Sequence, residues 1–248
     1  MAGVHFLDAR GPQGMRLYAI GDVHGRLDLL SAMHARIHAE IMRDRPADWR
    51  IIHLGDYVDR GPDARGVITF LIERMAEDER VVALAGNHDV GLIDFLARPE
   101  PHGLFARNGG AATARSYGVE IDFASPDGVA DGARRLAAAI PPAHAQFLRA
   151  LPLSVEFGDF FFCHAGIRPG IALDEQDPGD LVWIREDFLF HLELHPKVVV
   201  HGHTPHDVAE VLPNRVNVDT LAYASGRLTA LVVDGEDKRL LEATHGSE

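Results

Sequence analysis

Four short polar clusters, each set directly behind an apolar run, constrain this chain more than any other feature. They are Gly21-Asp22-Val23-His24-Gly25, Gly55-Asp56-Tyr57-Val58-Asp59-Arg60-Gly61, Gly86-Asn87-His88-Asp89 and His201-Gly202-His203-Thr204. Apolar runs this short are strand candidates rather than helices. A glycine-flanked polar cluster at the carboxyl end of a strand is a tight turn beside a ligand crevice. Asp, His and Asn together supply hard and borderline ligands for divalent cations. A phosphoester resists nucleophiles because its oxygens carry negative charge. Two bridged cations neutralise that charge and make hydroxide from water at neutral pH. The clusters therefore predict a two-metal phosphoester hydrolase.

The rest of the chain can be read around those clusters. Residues 17–20, 51–54, 81–85, 160–163 and 198–200 are the strand candidates, and metal-type clusters follow all five. Between them, Leu27, Leu30, Met33, Ile37 and Ile41 share one helical face, as do Val67, Ile68, Leu71, Ile72 and Met75. That is a β-α-β-α-β opening with parallel strands and right-handed crossovers. From 89 to 150 the composition turns to Ala, Arg, Gly and Pro, with helical stretches near 90–97, 128–140 and 143–150. This segment is expected as a mostly helical cap insertion over the site. Residues 227–233 and 239–243 predict an antiparallel pair around Asp234-Gly235-Glu236. With no repeat or interdomain linker, residues 1–248 are expected to form a single α/β domain.

Composition removes several function classes. A net charge of −13 disfavours a nucleic-acid partner, since affinity for a phosphate backbone comes from clustered Lys and Arg. Cys163 is the single cysteine, so no internal disulfide forms and no oxidising compartment is required. No apolar run approaches the roughly 18 residues that span a bilayer. The expectation is a cytoplasmic protein with no membrane partner; oligomeric state leaves no mark in the sequence.

At the four clusters the chain resembles the phosphoprotein phosphatase branch of the calcineurin-like metallophosphoesterases, particularly the compact bacterial and phage serine/threonine phosphatases. The resemblance runs from about residue 18 to 233. Phe162-Cys163-His164-Ala165-Gly166 and Trp183-Ile184-Arg185-Glu186 extend it. It implies two packed mixed β-sheets flanked by helices. It also implies that Asp22 and His24 hold a first metal, that Asp56 bridges both, and that Asn87, His164 and His203 hold the second. Two divalent ions are expected, Mn ahead of Fe or Zn. The chain departs from eukaryotic members at Asp89, where they carry Glu, and at Leu221-Ala222-Tyr223, so their toxin and regulatory-subunit binding does not carry over.

The chemistry can be built from the residues as well. A carboxylate has lone pairs on two oxygens, which makes Asp56 the side chain suited to bridging. The bridging hydroxide would attack phosphorus in line, with no covalent phosphoenzyme. A serine or threonine alkoxide leaves as a strong base, so a proton donor is needed, and His88 beside Asn87 is the candidate. Asp59 would orient His88. Arg60 and Arg185 carry planar donor forks for phosphate oxygens. His53 reads as a core histidine, His201 as a strand residue facing opposite to its immediate neighbour while His203 takes the matched ligand position, and Cys163 as a small buried hydrophobe.

For substrate, the sequence favours phosphoserine and phosphothreonine proteins. The alternative is symmetrical cleavage of dinucleoside polyphosphates such as diadenosine tetraphosphate, a branch that typically has Ala where this chain has Asp59. His203-Thr204-Pro205 also follows the protein phosphatases. A catalytically silent phosphoprotein-binding module would lack a ligand or the acid, and none is missing.

Overall fold

The computed structural model describes residues 3–244. The chain opens with β1 (Met15–Ile20), α1 (Leu27–Asp44), β2 (Asp48–His53), α2 (Ala64–Glu77) and β3 (Val81–Ala83). Five helices follow: α3 (Asn87–Ala97), α4 (Leu104–Arg107), α5 (Gly110–Ser116), α6 (Pro126–Ala139) and α7 (Pro142–Ala150). The second half runs β4 (Ser154–Phe157), β5 (Phe160–Cys163), a 3₁₀ turn at Leu173–Glu175, α8 (Pro178–Trp183), α9 (Glu186–Leu189) and β6 (Val198–His201). It ends with β7 (Glu210–Val211), β8 (Arg215–Asn217), α10 (Ala222–Ser225), β9 (Arg227–Asp234) and β10 (Asp237–Thr244).

These strands form two five-stranded mixed sheets, ordered β10-β9-β1-β2-β3 and β4-β5-β6-β8-β7. In the first, β1, β2 and β3 are parallel and β9 runs antiparallel to β1. In the second, β5, β6 and β8 are parallel, with antiparallel β4 and β7 at the edges. Side-chain alternation explains the layering, because successive strand residues face opposite sides. Leu17 and Ala19 join Phe160, Phe162, Val198 and Val200 in an apolar layer between the sheets. Tyr18 and Ile20 face the other way, into a core with Leu30, Met33, Val67 and Leu71 from α1 and α2. Phe161, Cys163 and Val199 face the far side, where Leu181 and Phe188 cover them. The result is helix, sheet, sheet, helix, as the sequence predicts. Cys163 is buried there as a small hydrophobe.

Two differences from the sequence expectation have physical causes. The third strand ends at Ala83 because the backbone turns away: the Ala85 N–H donates to the Pro152 carbonyl, and the Tyr57 hydroxyl donates to the Leu84 carbonyl. The helix expected from residue 128 begins at Pro126, where the Ser125 hydroxyl accepts from the Gly128 N–H and proline fixes the first turn. Apolar residues from 89–150, among them Leu92, Phe95, Phe105, Leu136 and Leu148, share one core with the first sheet.

Candidate metal centre

Every cluster in the sequence lies beyond the carboxyl end of a strand. Asp22 and His24 follow β1, and Asp56, Asp59 and Arg60 follow β2. Asn87 and His88 open α3 after β3, His164 follows β5, and His203 follows β6. Strands paired in parallel bring these ends to one edge of the two sheets. Two groups of buried side chains converge there: His24, Asp56 and His88, and Asp22, Asp56 and His164. Asp56 belongs to both. Its Oδ2 lies 3.5 Å from His24 Nε2 and 3.5 Å from His164 Nε2. Asn87 Oδ1 lies 2.9 Å from His164 Nε2 and 2.8 Å from His203 Nδ1. The Asp22 carboxylate accepts from the His203 N–H at 3.1 Å, joining the two halves.

The backbone is bent to make this possible. Among the described residues, the non-glycine residues with positive φ are His24, Arg45, Asp56, Asp59, Arg60, His203 and Leu221, so most of them belong to these clusters. Left-handed conformations cost an L-residue roughly 1–2 kcal/mol each and accumulate at functional sites. Close packing fixes the turns further. A Cβ at Gly202 would run into the Asp22 carboxylate, and one at Gly86 into that of Asp56.

Hydrogen bonds then orient each group. The His24 Nδ1 faces the Val58 carbonyl at 2.8 Å and the His164 Nδ1 faces the Leu54 carbonyl at 3.0 Å, which turns both Nε2 atoms toward Asp56. The His88 N–H, in the first turn of α3, donates to Asp56 Oδ1 at 2.9 Å. His88 Nδ1 meets Asp59 Oδ2 at 2.7 Å, leaving Nε2 on the side of Asp56 at 4.0 Å. Arg60 Nη2 is 3.2 Å from His88 Nε2, and its guanidinium lies 4.8 Å from the Tyr223 ring centre. Arg185 donates from Nε to His203 Nε2 at 3.1 Å and from Nη2 to the His203 carbonyl at 3.3 Å.

Electrostatics agree with a cation site. Burial pushes the pKa of His24 down to about 3 and lowers those of His164 and His203, so all three are neutral at pH 7, the form that binds metals. Burial alone would raise Asp56, but His164, His88 and His24 draw its carboxyl below the usual range. Asp22 is pushed up by burial and by the Asp219 and Asp56 carboxylates. Burial disfavours the His88 cation, yet Asp56 and Asp59 outweigh it and raise its pKa. Asp59 is matched to His88, and Asp89 to the N–H groups of Asp56, Tyr57 and Gly86. Asp22, Asp56 and Asp219 remain as a cluster of buried carboxylates that, among the described residues, accept only the backbone N–H groups of His203, His88 and Leu221, and the surrounding N and O donors fit two divalent ions.

Some residues at the site escaped sequence reasoning. Thr113 of α5 donates from its hydroxyl to Asp59 Oδ1 at 2.7 Å and accepts from the Asp59 N–H at 2.7 Å. Asp219 is buried beside Asp22 and accepts from the Leu221 N–H at 3.0 Å. Tyr223 packs edge-on to His24 at 5.4 Å. The set-aside histidines behave as expected. His53 stacks on His34 inside the core, and His201 packs edge-on to Phe188 with its Nδ1 against the Gly202 carbonyl.

Comparison with known proteins places this geometry. Residues 15–233 match the family model described as calcineurin-like phosphoesterase. The chain belongs to that family. It is a metal-dependent phosphoester hydrolase by fold, donor set and kinship. An asymmetrical bis(5'-nucleosyl)-tetraphosphatase of Halalkalibacterium halodurans is 25% identical over 88% of this chain and 89% of its own length. A symmetrical bis(5'-nucleosyl)-tetraphosphatase of Neisseria meningitidis is 30% identical over 62% of this chain and 45% of its own. Among solved structures, a cold-active protein-tyrosine phosphatase of Shewanella superposes with a TM-score of 0.53 at 17% identity, over 94% of this chain and 83% of its own. At that identity the likeness speaks for the fold alone.

Proposed function

We propose that this protein is a dinuclear-metal hydrolase in which Asp22, His24 and Asp56 hold one divalent ion and Asp56, Asn87, His164 and His203 hold the other. The observation that carries this is that Asp56 belongs to both buried groups, His24–Asp56–His88 and Asp22–Asp56–His164; placing Asp22 with His24, and His88 outside the ligand set, follows the family resemblance. Manganese is the ion expected first, with Fe or Zn as alternatives. When bound, such a pair supplies charge neutralisation for the phosphate and an acidified water as nucleophile. The chain's own residues do the rest. Asp59 fixes the His88 ring so that Nε2 can deliver a proton to the leaving oxygen, and Thr113 fixes Asp59. Arg60, beside His88, and Arg185, beside His203, offer guanidinium donors to the phosphate oxygens. In the same reading the chain is one cytoplasmic domain, and the segment near 89–150 caps the site through Thr113.

For substrate, the reading is a dinucleoside polyphosphate. The support is the likeness to a nucleosyl-tetraphosphatase along nearly the full length of both chains. This reverses the order that Asp59 suggests in the sequence. The second reading, phosphoserine or phosphothreonine proteins, is favoured by the His88–Asp59–Thr113 arrangement, since an alkoxide needs a positioned acid most. Metal-stripped protein reloaded with Mn decides between them. The kcat/KM for diadenosine tetraphosphate should exceed those for phosphoseryl, phosphothreonyl and phosphotyrosyl peptides. A higher value for any peptide would overturn the dinucleotide assignment. The products, two ADP or AMP with ATP, report symmetrical or asymmetrical cleavage.

A further inference from the structure

Beside the metal centre runs a groove of about 260 Å³ between α3, α4 and the end of α8, lined by Asp94, Phe95, Arg98, Glu100, Leu104 and Trp183 among others. Trp183 connects it to the chemistry. Its ring centre lies 6.1 Å from that of His203, edge to face, yet the residue remains 45% exposed. Phe95, stacked on Phe105 at 4.5 Å, gives the groove an apolar floor. Among the described residues, no side chain forms a hydrogen bond or ion pair with the side chains of Asp94, Arg98 or Glu100.

We infer that this groove is a nucleobase subsite, taking an amino-purine ring of the substrate. The inference rests on the dinucleotide reading above and deepens it. A rim with two carboxylates opposes an anion, and Arg98 opposes a simple cation. A neutral heterocycle meets both kinds of group at once: its exocyclic amine donates to a carboxylate while a ring nitrogen accepts from a guanidinium. An exposed indole is a stacking platform for such a ring, and the groove is sized for one base rather than for a whole nucleotide. Contact between Trp183 and His203 places that base within a few bonds' reach of phosphates held at the centre.

Two measurements test this. Adenosine, which carries no phosphate, should bind the Mn-loaded enzyme and quench the fluorescence of the exposed Trp183, while inosine, lacking the amine, should bind more weakly. Trp183→Ala should lower the ratio of kcat/KM for diadenosine tetraphosphate to kcat/KM for p-nitrophenyl phosphate about tenfold, as base stacking requires, and Trp183→Phe should restore most of it. Arg98→Ala and Asp94→Asn should lower the same ratio. If the dinucleotide is hydrolysed but the ratio does not move and adenosine does not bind, the groove assignment fails while the substrate reading stands. If phosphopeptides are the better substrates and Trp183→Ala slows them selectively, the substrate reading itself fails and the groove holds a peptide side chain.

Discussion

Replacing Asp59 by Asn tests the acid assignment at a single atom pair. In the structure the Asp59 carboxylate is fully buried and has two partners, His88 Nδ1 and the Thr113 hydroxyl, each at 2.7 Å. An asparagine has one acceptor oxygen in place of two, so its NH₂ must face either Thr113 or His88. Facing His88, it forces the tautomer with a bare Nδ1 and removes the electrostatic support of the imidazolium. A buried hydrogen bond to a charged group contributes about 1.5–3 kcal/mol. Lost only in the transition state, that corresponds to roughly a 10- to 150-fold fall in kcat. The loss should be largest for alkyl phosphates and small for p-nitrophenyl phosphate, whose leaving group needs little protonation. Steady-state kinetics on a series of esters with graded leaving-group pKa measures this directly, with metal content by mass spectrometry as control. Equal slowing across the series, with metals retained, would remove His88 and Asp59 from proton transfer and leave them a structural role.

Other substitutions probe the residues around this pair. Asp56→Asn should nearly abolish turnover and reduce metal content at both positions, whereas loss of a single equivalent would mean that Asp56 serves one ion. Gly202→Ala should push Asp22 aside and cost on the order of 10²-fold in kcat, with a thermal midpoint close to that of the parent; unchanged activity would refute the packing argument. His34 and His53 form a buried pair with Nε2 atoms 3.1 Å apart, and burial holds the His34 pKa down at about 3. The unfolded chain therefore binds more protons between about pH 6.5 and 3, so stability falls as pH drops through that window and is complete above it. Denaturant unfolding at pH 7 and pH 5 should show His34→Leu losing about 2 kcal/mol less than the parent on acidification; equal losses would mean that His34 is protonated in the fold.

What the sequence reveals depends on whether a signal is local. Strands such as Phe160–Cys163 and Val198–His201 are legible because a short apolar run fully states a buried strand, and each metal-type cluster sits where that run ends. The candidate donors could be proposed from the sequence for the same reason. Leu104–Arg107 and Gly110–Ser116 were not legible, since one- and two-turn helices flanked by glycine owe their form to packing. A Cβ at Gly110 would strike Phe105, and the Gly109 carbonyl accepts from the Arg60 N–H, so that turn takes its shape from its surroundings. Thr113 hydrogen-bonds Asp59 although it lies far from it along the chain in a segment without motif character. Trp183 and Tyr223 were visible as aromatic residues near motifs, but only the tertiary structure places their rings against His203 and His24.

In the proposed centre one carboxylate, Asp56, would be shared by two cations. Crystals grown with excess Mn and measured at the Mn absorption edge test it directly through anomalous scattering. Two peaks should appear, both within coordination distance of Asp56, one also near Asp22 and His24 and the other near Asn87, His164 and His203. A single peak, or a pair that does not meet at Asp56, would rule out a shared carboxylate.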